Sequence, residues 1–170
     1  MGLCGMAATT KKKSFKDQPW SQRFQSLGDE AEKAFEAREK KWARSGWNRP
    51  EFTMNKMPKT ICYMPDYVMD IKGYPAWVEV QGCGQDQLFK FKDDKLAALK
   101  WWQGMSQMKV YLWLWDATNE RVFFLTVDDL WAMTVRPTIL GGDRGSYPEG
   151  KSYVALPTTA FVELGYGHGT

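Results

Sequence analysis

The run KVYLWLW at residues 109–115 limits the folds open to this chain more than any other part of its sequence. These seven residues offer almost no polar face, so a strand formed here must be covered by other elements on both sides. A strand of that kind lies inside a sheet whose two faces are both packed. The run therefore predicts a sheet with helices packed against it.

The segments around this run alternate between helical and strand patterns. Apolar residues recur at three- and four-residue steps from about residue 21 to 44, which predicts an amphipathic helix that ends near Gly46. A second helix is expected where Asp93 or Asp94 caps residues 94–103 and Gly104 closes them. The remaining predicted elements are one strand or a bent pair at 59–71, strands at 76–81, 109–115 and 121–127, and a short helix at 128–133.

The expected fold is α/β, with a mixed sheet flanked by helices. The length suits one domain with a sizeable core. Residues 1–18 are expected to be a disordered basic leader, 19–135 the core, and 136–170 a loop and edge-strand extension of the same domain. No apolar run approaches the roughly 20 residues needed to cross a bilayer. Three scattered cysteines without CxxC spacing favour a reducing, cytoplasmic location, in a host cytoplasm if the chain is phage-encoded.

Two acids flank the predicted hairpin PDYVMDIKGYPAWVEVQ at residues 65–81. Strand side chains alternate, so a turn at Gly73-Tyr74-Pro75 can set Asp66 and Glu79 side by side. The alternative is a half-exposed hairpin whose charges face water, but Glu79 lies inside an apolar strand. Two close carboxylates repel each other unless they share a proton or a cation. Without a histidine nearby, oxygen ligands favour Mg²⁺ or Mn²⁺ over zinc.

Pro65-Asp66 and the later triplet Glu79-Val80-Gln81 resemble the motif of the PD-(D/E)XK nuclease superfamily, with its restriction-endonuclease-like αβββαβ core. The order of elements agrees from about residue 21 to 127. The resemblance implies a metal-dependent nuclease in which Asp66, Glu79 and the carbonyl of Val80 bind Mg²⁺ or Mn²⁺. Many relatives add an acid from the first helix, and Glu32 fits that position best.

Gln81 departs from the family pattern, which has a lysine at this position. A glutamine can orient water by hydrogen bonds but carries no positive charge. Since some members of the superfamily place the lysine elsewhere, Lys92 or Lys95 is expected to stabilise the charge on the phosphate. If neither does so, the chain is a nuclease fold that binds without cutting.

The implied partner is DNA, either branched or single-stranded, cut internally during recombination or repair in the manner of resolvase-like or phage-type nucleases. The expected DNA contacts combine basic residues with one aromatic residue: Lys40, Lys41, Arg44, Trp47, Arg49 and Lys90. A solvated helix end would explain the basic residues between positions 40 and 49 equally well. The net charge of the chain, only +3, does not decide between the two interpretations. Whether the chain works as a homodimer stays open. The rival functions are an inactive DNA- or protein-binding module and a protein whose many tryptophans bury an interface.

Overall fold

The computed structural model describes residues 20–45 and 59–167 of the chain. The helices in these ranges are α1 (Trp20–Arg38), α2 (Lys59–Cys62), α3 (Asp93–Ser106), α4 (Val127–Val135) and α5 (Thr158–Glu163), with a 3-10 helix at Pro137–Leu140. The strands are β1 (Trp42–Arg44), β2 (Tyr67–Ile71), β3 (Tyr74–Cys83), β4 (Leu88–Lys92), β5 (Val110–Asp116), β6 (Arg121–Thr126), β7 (Asp143–Ser146) and β8 (Ser152–Pro157).

The main sheet has five strands in the order β1-β2-β3-β5-β6. Strands β3 and β5 are parallel, and every other neighbouring pair in this sheet is antiparallel. The parallel pair needs a crossover, which runs through β4 and α3. The crossover therefore brings the start of α3 back over β3, and this placement builds the site described below.

Strand β5 is buried on both faces, as its apolar run requires. Trp113 packs with Phe35 of α1 on one face, and Leu112 and Leu114 pack on the other with α3 and the second sheet. Two hydrophobic clusters thus lie on opposite sides of the main sheet. The predicted mixed sheet flanked by helices is confirmed.

The first helix ends at Arg38 and not near residue 44. Lys41 has a φ of 58°, and the next three residues form β1, which pairs with β2 at the edge of the sheet. Trp42 continues the helical spacing in the sequence, but its ring packs against Phe35 and Tyr67 from the strand. The backbone hydrogen bonds offered by the edge of β2 outweigh the local helical pattern.

Other predicted bounds are also corrected. Residues 59–62 form the short helix α2 rather than a strand. The β2–β3 turn lies at Lys72 and Gly73, both with positive φ, so β3 already begins at Tyr74. Helix α3 continues past Gly104 and ends at Ser106. The next residue, Gln107, caps it with a φ of 58°, and its side-chain amide donates a hydrogen bond to the Gly104 carbonyl.

The tryptophans divide between core and surface. Trp113 and Trp115 are buried, and Trp102 is partly buried against the core. Trp101 and Trp131 are exposed. They sit on the outer sides of α3 and α4, where the apolar pattern of the sequence does not show which turn faces solvent.

Residues 136–167 contain more structure than the loop and edge strand predicted there. Strand β8 is the central strand of a second sheet, in the order β4-β8-β7, and both of its pairings are antiparallel. Helix α5 then places the ring of Phe161 5.4 Å from the rings of Phe89 and Phe123. The prediction failed because β4, the partner of β8, lies about 60 residues earlier in the chain. Within the described ranges, no helix combines the length and apolar character that crossing a bilayer requires.

Phe161→Ala should lower the free energy of unfolding by about 3–5 kcal/mol, because it empties a fully buried aromatic site between the two sheets. The neighbouring Val162 is 49% exposed, so Val162→Ala should change stability by less than about 0.5 kcal/mol. Urea denaturation of both variants measures the difference. Equal midpoints would mean that the last helix is not part of the core.

Candidate carboxylate–lysine site

The β2–β3 hairpin places Asp66 opposite Glu79. Tyr67 pairs with Val78, so the residue before Tyr67 faces the residue after Val78. Side chains opposite each other in an antiparallel pair share one face of the sheet. Asp66 Oδ2 also accepts a hydrogen bond from the backbone NH of Val80 at 2.9 Å. The two carboxyl groups therefore meet on the face of the sheet covered by α3.

Lys95, in the first turn of α3, forms an ion pair with Glu79 through Nζ and Oε1. The side chain of Lys95 is 27% exposed, whereas that of Glu79 is only 3% exposed. The helix reaches this position because it follows β4 and crosses back over β3. Of the two lysines considered from the sequence, Lys95 is the one whose ion pair with Glu79 the structure records.

Electrostatics at this site favour a proton or a cation. Burial, followed by the charge of Asp66, raises the pKa of Glu79 well above its ordinary value. Burial works against the charge of Lys95, but Glu79 and Asp66 outweigh it and raise the pKa of its ammonium group. If both carboxyl groups were ionised, the single ammonium group of Lys95 would leave one negative charge uncompensated in a place that holds little water.

The donor atoms present fit a hard divalent cation. Glu79 Oε2 is buried, and no hydrogen-bond partner for it occurs among the described residues. The Val80 NH points to the β2 side of its strand, and its carbonyl points the same way because both groups of one strand residue do so. In the described parts of the chain, no three or more Asp, Glu, His or Cys side chains lie close enough together to hold a metal. Two carboxylates and a carbonyl still suit Mg²⁺, which keeps several of its waters in protein sites.

Glu32 lies on α1, which covers the opposite face of the main sheet. Its carboxylate forms an ion pair with Arg44 at 3.1 Å, and the Tyr67 hydroxyl lies 3.5 Å away. Burial, and then the charge of Asp66, raise the pKa of Glu32. The structure thus keeps Glu32 within electrostatic range of Asp66 but does not bring it into one cluster with Asp66 and Glu79.

Gln81 and Lys92 contact groups of their own. Gln81 Nε2 donates a hydrogen bond to the backbone carbonyl of Lys90 at 3.1 Å, which ties the end of β3 to β4. Lys92 Nζ lies 5.0 Å from the centre of the Tyr147 ring. Lys92 is thus directed toward the turn between β7 and β8.

Three of the six predicted DNA contacts form ion pairs with acids. Lys41 pairs with Asp70 at 3.3 Å, and Lys90 pairs with Asp86 at 2.7 Å. Arg44 pairs with Glu32 and with Glu36 of α1. The other predicted contacts are Lys40, which is exposed, and Trp47 and Arg49, which lie outside the described residues.

A second group of side chains, which the sequence did not predict, lies beside the site. The Tyr63 hydroxyl donates to Asp94 Oδ2 at 3.0 Å, and Lys151 Nζ donates to the Tyr63 oxygen at 3.5 Å. Asp94 is the residue directly before Lys95. No local pattern in the sequence pointed to this group, because residues 63 and 151 are separated by 88 positions.

One solved structure, that of D212, a nuclease from a fusselovirus, is similar to this chain with a TM-score of 0.44 and 10% sequence identity. The similarity covers 86% of this chain and 90% of the viral protein. No protein-family model matches the chain. No curated protein sequence matches it. A likeness at this level does not establish a shared family, and the fold class follows from the strand pairing instead.

Without metal, the free energy of unfolding should fall as the pH rises above about 4.5, the ordinary pKa of a glutamate. The folded protein keeps a proton on Glu79 at pH values where the unfolded chain has released it, so raising the pH through the folded pKa removes this stabilisation. Glu79→Gln should lack this part of the pH dependence. Urea denaturation in chelator between about pH 5 and pH 8 measures it.

Asp70→Asn is the matched control for this experiment. Asp70 lies at the surface, where it pairs with Lys41. A hydrogen bond from the backbone NH of Gly73, and to a smaller extent one from Lys41, lowers the pKa of Asp70. Its titration therefore falls below the measured range, and the variant should keep the pH dependence of the wild type. Parallel curves for the wild type and Glu79→Gln would contradict the raised pKa of Glu79.

Proposed function

We propose that this chain is a metal-dependent deoxyribonuclease that hydrolyses phosphodiester bonds within DNA strands. The observation that carries the proposal is the buried carboxyl of Glu79, which lies opposite Asp66 and forms an ion pair with Lys95. A carboxylate pair beside a lysine suits phosphodiester chemistry, since it combines a cation site with a positive charge for the phosphate. We propose branched or single-stranded DNA of recombination and repair as the substrate class.

Asp66, Glu79 and the Val80 carbonyl would hold Mg²⁺ or Mn²⁺. When bound, the ion supplies Lewis-acid stabilisation of negative charge on a phosphate oxygen and favours deprotonation of water. The protein contributes the rigid hairpin that keeps the two carboxyl groups at one place. It also excludes bulk water from Glu79, which strengthens each charge interaction there.

Lys95 would have the role of the lysine that the PD-(D/E)XK motif usually carries at the position of Gln81. Its raised pKa keeps the ammonium group charged at neutral pH, so it can stabilise charge developing on the phosphate. Gln81 uses its amide nitrogen to bind the Lys90 carbonyl. Its amide oxygen is a hydrogen-bond acceptor and would orient an attacking water.

The alternative is a nuclease fold that binds DNA or protein without cutting it. Two observations favour this alternative: Lys95 is already paired with Glu79, and the acid expected from the first helix, Glu32, is held by Arg44 on the other side of the sheet. Both proposals predict affinity for a macromolecular partner, but only the first predicts metal-dependent cleavage.

Purified protein should nick plasmid DNA or cut labelled single-stranded, flapped or four-way DNA with Mg²⁺ or Mn²⁺, and should not do so in chelator. Asp66→Asn, Glu79→Gln and Lys95→Ala should each lower the cleavage rate by about 100- to 1,000-fold, since each removes a group that acts on the reacting phosphate. Gel analysis of end-labelled products measures the rates.

Asp70→Asn again serves as the control, because it removes a β2 carboxylate outside the site and should cut at the wild-type rate. If the wild-type protein binds DNA but does not cut it with either Mg²⁺ or Mn²⁺, the binding module would be favoured. Cleavage that persists in Glu79→Gln at the wild-type rate would place the active site elsewhere.

A further inference from the structure

The outward face of the second sheet carries lysines beside the site. Along β4, Phe89 and Phe91 face the core, so Lys90 and Lys92 face outward. Tyr153 of β8 pairs with Lys92 and therefore shares that outward face. The strand that leads into α3 thus presents its charged side next to the helix turn that holds Lys95.

Lys92 is linked to a second lysine through the β7–β8 turn. Its ammonium group lies over the ring of Tyr147, and the backbone NH of Tyr147 donates to the carbonyl of Lys151 at 2.9 Å. The rings of Tyr147 and Tyr153 are 4.7 Å apart. Gly145 leaves room for this arrangement, because a Cβ there would lie 2.6 Å from the Tyr153 ring. The β7–β8 turn therefore positions both Lys92 and Lys151, here called the lysine pair.

The lysine pair adjoins the carboxylates. Lys151 Nζ reaches the hydroxyl of Tyr63, and that hydroxyl bonds to Asp94, the neighbour of Lys95 in α3. A continuous set of contacts thus runs from Lys151 to the residue that pairs with Glu79.

Neither lysine of the pair forms an ion pair with a carboxylate in the described parts of the chain. The neighbouring basic residues do: Lys90 pairs with Asp86, Lys95 with Glu79, and Arg144 with Asp93. Two ammonium groups that are held in place without an ion pair form the kind of surface that binds the phosphates of a nucleic-acid strand.

We propose that Lys92 and Lys151 bind backbone phosphates of the DNA strand next to the bond that is cut at Asp66 and Glu79. The inference rests on the proposed nuclease function and adds to it the path of the strand, which runs from the second sheet toward the start of α3. The contacts are to phosphates and carry no sequence preference by themselves.

Binding of labelled single-stranded DNA, measured by fluorescence anisotropy in chelator at several salt concentrations, tests the proposal. Lys92→Ala and Lys151→Ala should each weaken binding about tenfold and reduce the slope of log K against log salt by about 0.7, the value of one lost phosphate contact. The charge-conserving changes Lys92→Arg and Lys151→Arg should keep the wild-type slope.

Lys109→Ala is the matched control. Lys109 is exposed and follows the far end of α3, so its removal takes away the same charge at a distance from the site. If the wild type cuts DNA but all three alanine variants give the wild-type slope, the lysine pair does not bind the strand while the nuclease proposal stands. If the wild type neither cuts nor binds any DNA, the nuclease proposal fails and the inference fails with it.

Discussion

The burial of the Glu79 carboxyl opposite Asp66 is the constraint on which the rest of the site depends. A carboxyl group taken out of water must be neutralised, ion-paired or bound to a cation. Lys95 supplies one positive charge, but there are two carboxyl groups, so the pair retains a demand for a proton or a metal ion. A protein selected only for stability would gain more from an apolar residue at this position. The arrangement is therefore better explained by chemistry than by stability.

The layered fold makes this burial feasible. Strand β5 contributes side chains to both hydrophobic clusters, and its parallel pairing with β3 requires a crossover over one face of the sheet. Helix α3 lies on that crossover and delivers Lys95 to β3, while the second sheet covers the remaining space beside it. The same crossover strand, β4, carries Lys92 outward. The crossover through β4 and α3 thus contributes both to the packing of the core and to the positions of the charged side chains at the site.

Much of the site followed from local rules. The separation of Asp66 and Glu79 by one short turn, with side chains alternating along each strand, predicts that they share a face, and the strand register places them opposite each other. The choice between Lys92 and Lys95 did not follow, because a shift of one or two residues in the start of α3 turns a different lysine toward β3. Glu32 fitted the sequence pattern equally well, but α1 packs on the opposite face of the sheet, and no local pattern records the face on which a helix docks.

The sequence by itself determined the strand buried on both faces, the hairpin and its two acids, because these features depend on residue types within a few positions of each other. Only the tertiary structure decided that β1 leaves the helix to join an edge and that β8 becomes the centre of a second sheet. It also brought Tyr63 and Lys151 to the start of α3. Each of these outcomes depends on a partner many residues away, where hydrogen bonds and buried area gained across the fold exceed the preferences of the local segment.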